Sequence, residues 1–189
     1  MRLRVDTPES WIKAVSGDVE RFLQDHASCE KKAVGTALGL ASHYPDRLEL
    51  VGAMIDLAQE ELRHYREVFE LLAARGFSMG RDEKDPYIRE FLRAVRSGTD
   101  DYFLDRLLVF GIVEARGCER FRILADGFGE AGLRGFYREL AQAEARHWAL
   151  FVRMAKTYFP KDNVDRRLNE LLDIEGDIVA DLPVRCALH

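Results

Sequence analysis

The chain has 189 residues, 47% of them hydrophobic, enough for one domain spanning 1–189 with a sizeable core. Its net charge of −5 excludes a general affinity for nucleic acid, so any such partner must meet a local basic surface. No run approaches 18 apolar residues and no signal-peptide pattern opens the chain; three cysteines without CxxC spacing fit a reduced, cytoplasmic protein without membrane attachment.

Helical periodicity dominates and no alternating strand run stands out, so the class is all-α. Thr7-Pro8-Glu9 opens a short first helix, with Pro at its first position. A long helix follows from about Asp18 to His43, and a second from about Pro45 to Arg75, closed by Gly76. Phe77 to Gly98 is a connection with its own helix, begun at Asp85-Pro86. Thr99-Asp100-Asp101 forms an acidic N-cap region for a third long helix to about Asp126. The fourth runs from about Glu130 to Tyr158 and is stopped by Pro160. Asn163 or Asp162 caps a final helix to about Ala180, and Pro183 starts a tail.

Two tetrapeptides carry the chemistry: Glu61-Leu-Arg-His64 and Glu144-Ala-Arg-His147. Residues three apart share a helix face, so each copy aims a carboxylate and an imidazole at one point. That donor pair suits iron or manganese better than a closed structural zinc site. A four-helix dimetal site needs one more Glu on each of two other helices. Turn positions locate both. The midpoint of Glu30 and Glu61 falls at 45.5, within His43-Tyr44-Pro45-Asp46; that of Glu114 and Glu144 falls at 129, within the glycine-rich Gly127–Gly132. An offset of 84 residues relates Glu30 to Glu114 and one of 83 relates Glu61 to Glu144, the mark of an internally repeated helical hairpin.

All four acids interrupt apolar stripes. Glu30 lies among Leu23, Ala27 and Ala37, Glu61 among Met54, Leu57 and Val68, Glu114 among Leu107, Phe110 and Phe121, and Glu144 among Tyr137, Leu140 and Phe151. Buried carboxylates need a compensating cation, and two divalent ions would balance four of them, with His64 and His147 completing the shell. Glu119, the rival of Glu114, sits on a more polar face beside Arg116 and Arg122 and breaks the midpoint rule. The competing structural readings are a Glu paired to one of the 22 Arg and a hydrogen-bonded core histidine. Cys29, beside Glu30, and Cys118, one turn past Glu114, read as small packed thiols.

Some 40 Å separates the end of the first hairpin from the start of the second when a two-fold relates them, a gap that about 25 residues with one short helix can span. Two hairpins joined by one long crossover make a ferritin-like four-helix bundle with short flanking helices. The strings His26-Ala-Ser-Cys-Glu30, Glu60-Glu61-Leu-Arg-His64-Tyr65, Glu114-Ala-Arg-Gly-Cys118-Glu119-Arg120-Phe121 and Glu144-Ala-Arg-His147-Trp148 resemble the tRNA 2-methylthio-isopentenyl-adenosine hydroxylases. The resemblance runs from about Trp11 to Ile178. It implies a non-haem di-iron monooxygenase that hydroxylates the isopentenyl side chain of an adenosine beside the anticodon. The cofactors would be two iron ions, with dioxygen as co-substrate, and the partners a tRNA and an external electron donor of ferredoxin or reductase type. Glu30, Glu61 and His64 would serve one iron and Glu114, Glu144 and His147 the other, with Glu61 and Glu144 bridging.

Arg63, Arg66, Arg116, Arg120, Arg122, Arg146 and Arg153 flank the ligand helices and could meet phosphate, although most are expected on solvated faces opposite acids. Tyr65 and Trp148, each one turn past its Glu, read as core aromatics or as lining near the site. The alternative function is a ferritin- or rubrerythrin-like iron-binding or peroxide-detoxifying protein, although the CxxC iron site frequent in rubrerythrins is missing. A helical scaffold with salt-bridged acids is the non-enzymatic alternative.

Overall fold

The computed structural model describes residues 2–189, and among these it contains seven helices and no strand. They are α1 (Glu9–Gly17), α2 (Val19–His43), α3 (Leu48–Ala74), α4 (Pro86–Leu92), α5 (Thr99–Gly127), α6 (Ala131–Tyr158) and α7 (Lys161–Asp181). None of them is long and apolar enough to cross a membrane.

Capping chemistry explains several of the helix ends. Asp18 accepts from the Arg21 N–H at 3.0 Å and starts α2; Asp85 accepts from Tyr87 N–H at 2.9 Å, with Pro86 at the first helical position of α4. Helix α3 begins three residues later than Pro45, because Arg47 N–H bonds the Tyr44 carbonyl and Pro45-Asp46 are spent in the turn. Its far end is a Schellman motif: Phe77 N–H reaches Leu72 O, Gly76 N–H reaches Ala73 O, and Gly76 takes φ +72°. Two expected caps are corrected. Gly98, at φ +102°, precedes α5, so Thr99, Asp100 and Asp101 form its first turn rather than its cap. Asp162 and Asn163 likewise lie inside α7, whose cap position is Pro160.

The chain divides into two compact units. One comprises residues 17–83 with Cys186–Leu188, built on the hairpin of α2 and α3. Leu23, Ala27 and Ala37 of α2 are buried, as are Leu50, Met54, Leu57 and Val68 of α3. The first part of the crossover is fastened to α2. Gln24 donates to Ser78 O at 2.8 Å, Ser28 to Asp82 at 2.8 Å, and Lys32 to Glu83 O at 2.9 Å. Gly80 lies so close to Gln24 that a Cβ there would come within 3.0 Å of the Gln24 side chain.

The other unit comprises the chain up to Ser16, Lys84–Arg185 and His189. Its frame is the α5–α6 hairpin, joined by α4, α7 and the N-terminal segment. Helix α5 is buried on nearly every face, charged residues included. Asp105 and Arg116 on it are paired with opposite charges. Asp105 accepts from both Arg96 and Arg167, at 2.8–3.0 Å, binding the end of the crossover and α7 to α5. Arg116, fully buried, donates to both oxygens of Glu175 at 2.8 and 3.1 Å, and Tyr87 OH donates to the same carboxylate.

Candidate metal centre

The α2–α3 hairpin turns where the midpoint argument places it, and this sets Glu30 level with Glu61 and His64. All three are buried, at 4%, 1% and 2% exposure. His64 Nδ1 lies 3.3 Å from Glu61 Oε2 and 3.7 Å from Glu30 Oε2. One donor atom from each of the three falls within 4.8 Å of the other two. Burial opposes a charged imidazole here, yet the two carboxylates outweigh it and push His64 up to about 10.

His26, also on α2 and fully buried, was not singled out by the sequence. Its Nε2 lies 2.7 Å from Glu30 Oε1, the oxygen turned away from His64. One helical turn separates the pair. The signal was present in the string His26-Ala-Ser-Cys-Glu30, where a histidine stands on the same face as a core acid.

The α5–α6 hairpin repeats the arrangement. Donor atoms of Glu114, Glu144 and His147 lie within 4.8 Å of one another. Glu144 and His147 are buried, with His147 Nδ1 3.4 Å from Glu144 Oε2, whereas Glu114 is half-buried. Gly117 packs against the Glu144 side chain, and a Cβ there would stand in ordinary contact, 3.9 Å from Glu144 Cγ. Glu144 Oε2 is buried and accepts no hydrogen bond among the described residues, and no Arg or Lys pairs with it. A buried, uncompensated carboxylate beside an imidazole is the donor set a divalent cation neutralises, so these residues fit a metal.

Glu119 belongs elsewhere. It accepts from Thr7 N–H at 2.7 Å, from Thr7 Oγ1 at 2.6 Å and from Arg116 at 3.0 Å, holding the N-terminal segment onto α5. The face beside it is not simply polar, since Arg116 is wholly enclosed. Cys118 is a packed thiol, its Sγ donating to Ala141 O at 3.2 Å, and burial pushes it up from the usual thiol range. Cys29 is half-buried, with its Sγ 3.8 Å from Asp25. Tyr65 and Trp148 are half-buried rather than core residues.

A family model described as tRNA-(MS[2]IO[6]A)-hydroxylase (MiaE) matches residues 1–189. The chain belongs to this family. A relative from Pseudomonas putida, a tRNA 2-(methylsulfanyl)-N(6)-isopentenyladenosine(37) hydroxylase, is 37% identical over 92% of this chain and 84% of its own. A protein of the same name from Salmonella typhimurium is 26% identical over 94% of this chain and 83% of its own. Among solved structures, a Synechococcus protein with aldehyde deformylating oxygenase activity aligns with a TM-score of 0.95 and 32% identity, covering 100% of this chain and 96% of that one. The ferritin-like, all-α class expected from the topology is therefore the fold of this family member.

The arginines read as phosphate partners separate once placed. Arg63 and Arg66 are exposed on α3 and face Glu60 and Glu70, at 3.3 and 3.0 Å. Arg116 and Arg120 are enclosed and unavailable to any RNA. The first is held by Glu175; the second donates to Thr7 Oγ1 at 3.2 Å and lies 5.2 Å from the Trp11 ring. Arg122, Arg146 and Arg153 are exposed.

Proposed function

We propose that this chain, acting as one ferritin-like domain over 1–189, hydroxylates the isopentenyl group of 2-methylthio-isopentenyl-adenosine in tRNA. The observation that carries the reading is the recurrence of a Glu, Glu, His set in each hairpin, within a chain that matches the tRNA hydroxylase family end to end. Glu30, Glu61 and His64 would hold one iron and Glu114, Glu144 and His147 the other, carboxylate and imidazole donors suited to that metal. When bound, the iron pair supplies dioxygen activation at an unactivated C–H bond, with electrons from an external donor of ferredoxin or reductase type.

The protein's own part is placement and exclusion. His26 holds Glu30 Oε1 and leaves Oε2 facing His64. Around Glu114 and Glu144 the α5–α6 seam is aromatic. Phe110 and Phe151 have ring centroids 6.0 Å apart, and Phe121 and Tyr137 5.4 Å apart. Such walls keep water from the acids between them.

The test is direct. The iron-loaded, reduced protein is incubated with dioxygen and tRNA bearing the prenylated adenosine, and the nucleosides are weighed by mass spectrometry. A gain of one oxygen is expected; no gain with a competent electron donor refutes the assignment. The 32% identity to the Synechococcus oxygenase favours aldehyde deformylation as the second reading, so a parallel incubation with an aldehyde replaces the tRNA.

A further inference from the structure

Exposed arginines differ in their partners. On α3 and α4 they are neutralised locally: Arg63 lies 3.3 Å from Glu60, Arg66 3.0 Å from Glu70, and Arg89 3.1 Å from Glu90. Along the α5–α6 seam, Arg122 and Arg138 are exposed, and among the described residues neither has a carboxylate within ion-pair distance. Arg138 reaches only backbone, its Nη2 donating to Ala125 O at 3.4 Å across the seam. The two guanidinium groups line one groove of about 400 Å³ together with Gln142, Asp126 and the alanines at 141 and 145. Residues this small let a ligand's backbone settle between the helices.

The groove also has a position in the site. Ala141 is three residues before Glu144 on α6, about 4.5 Å along the helix axis. Its carbonyl accepts from Cys118, one turn beyond Glu114 on α5. A ligand seated here lies beside the two helices that carry the second Glu, Glu, His set.

Charge and shape select the occupant. A planar guanidinium grips phosphate through paired N–H donors, and two such groups facing one groove match successive phosphates of a strand. Gln142 and Asp126 add acceptors suited to ribose hydroxyls, which an aliphatic ligand would leave unused. The chain as a whole is acidic, with a net charge of −5, so a polyanion needs a local basic site of this kind. We infer that this groove binds the ribose-phosphate backbone of the tRNA beside the modified adenosine, through Arg122 and Arg138. This inference rests on the tRNA reading above.

Binding of labelled tRNA bearing the prenylated adenosine to the full chain is followed by fluorescence anisotropy between 50 and 200 mM salt. The double substitution R122Q/R138Q is expected to lower the slope of log affinity against log salt by about 1.5, two phosphate contacts at roughly 0.7–0.9 each. R122K/R138K should keep most of that slope, and R63Q/R66Q should leave it unchanged. Circular dichroism checks helical content, and Arg122→Gln alone carries the test if the double variant loses it. A wild-type chain that binds tRNA while R122Q/R138Q binds with the same slope overturns the groove and leaves the tRNA reading standing. A wild-type chain that binds no tRNA at low salt overturns both.

Discussion

In the metal-free chain His64 is poised to make stability fall with pH. Its folded-state pKa is raised from 6.5 to about 10 against the pull of burial, because Glu30 and Glu61 surround the ring. A raised pKa means the folded state binds the proton more tightly than the unfolded chain. Its contribution is therefore complete below pH 6.5 and is lost as pH climbs through 10. Each pH unit inside that window removes at most about 1.4 kcal/mol, so roughly 2–3 kcal/mol should go between pH 6.5 and 8.5. Urea unfolding of the metal-free protein, repeated across this range, gives the slope, and His64→Gln should abolish it. Metal loading should act in the opposite sense. A coordinating imidazole must be neutral, so the metal displaces this proton and metal affinity rises with pH. If wild type and His64→Gln lose stability in parallel, the proton is not held between Glu30 and Glu61, and the description of this half of the site is wrong.

Other expectations follow from single contacts. Glu114→Ala should abolish the binding of a second metal per chain, read by metal analysis after anaerobic loading, whereas Glu119→Ala should load normally and lose stability through Thr7 and Arg116. Replacing His26 by Leu should weaken metal binding by about 10–100-fold, measured with Co(II) by its visible spectrum, since Glu30 loses the group that orients it. Glu175→Ala leaves Arg116 buried without its carboxylate and should cost about 3–5 kcal/mol in denaturant unfolding; replacing both residues by Met should recover most of the loss.

The parts legible in the sequence were those governed by local rules. Helix periodicity, the helix starts near Asp18 and Asp85 and the two hairpin turns depend on residues within a few positions of each other, and the structure places them where the pattern does. The halves of the site were legible for the same reason: a turn fixes the register of two antiparallel helices, so counting from it brings Glu30 to Glu61 and Glu114 to Glu144. Where a local rule had competitors, it failed. Pro45-Asp46 looked like a helix start but is consumed by the turn, and Gly98, free to take positive φ, displaced the Thr99 cap.

Contacts made across long stretches of chain were not legible, and they altered the meaning of residues already noticed. Arg116 and Arg120 stood beside a ligand helix and so looked like phosphate partners. Their partners decide otherwise: Glu175 lies 59 positions from Arg116, and Thr7 lies 113 from Arg120. Yet Glu175 interrupts a stripe of Leu171, Leu172, Ile178 and Val179, just as the four candidate ligand acids interrupt theirs. A charge on a core face therefore announces that a counter-charge exists without saying whether it is a metal or a guanidinium. The difference lies in what encloses the acid. Glu175 receives two N–H donors from Arg116 and an O–H from Tyr87, which satisfies both its oxygens, while Glu144 keeps one oxygen bare beside an imidazole. Saturation by fixed donors marks an acid that builds the frame; an open oxygen next to His is the feature on which the proposal of a metal at Glu144 rests.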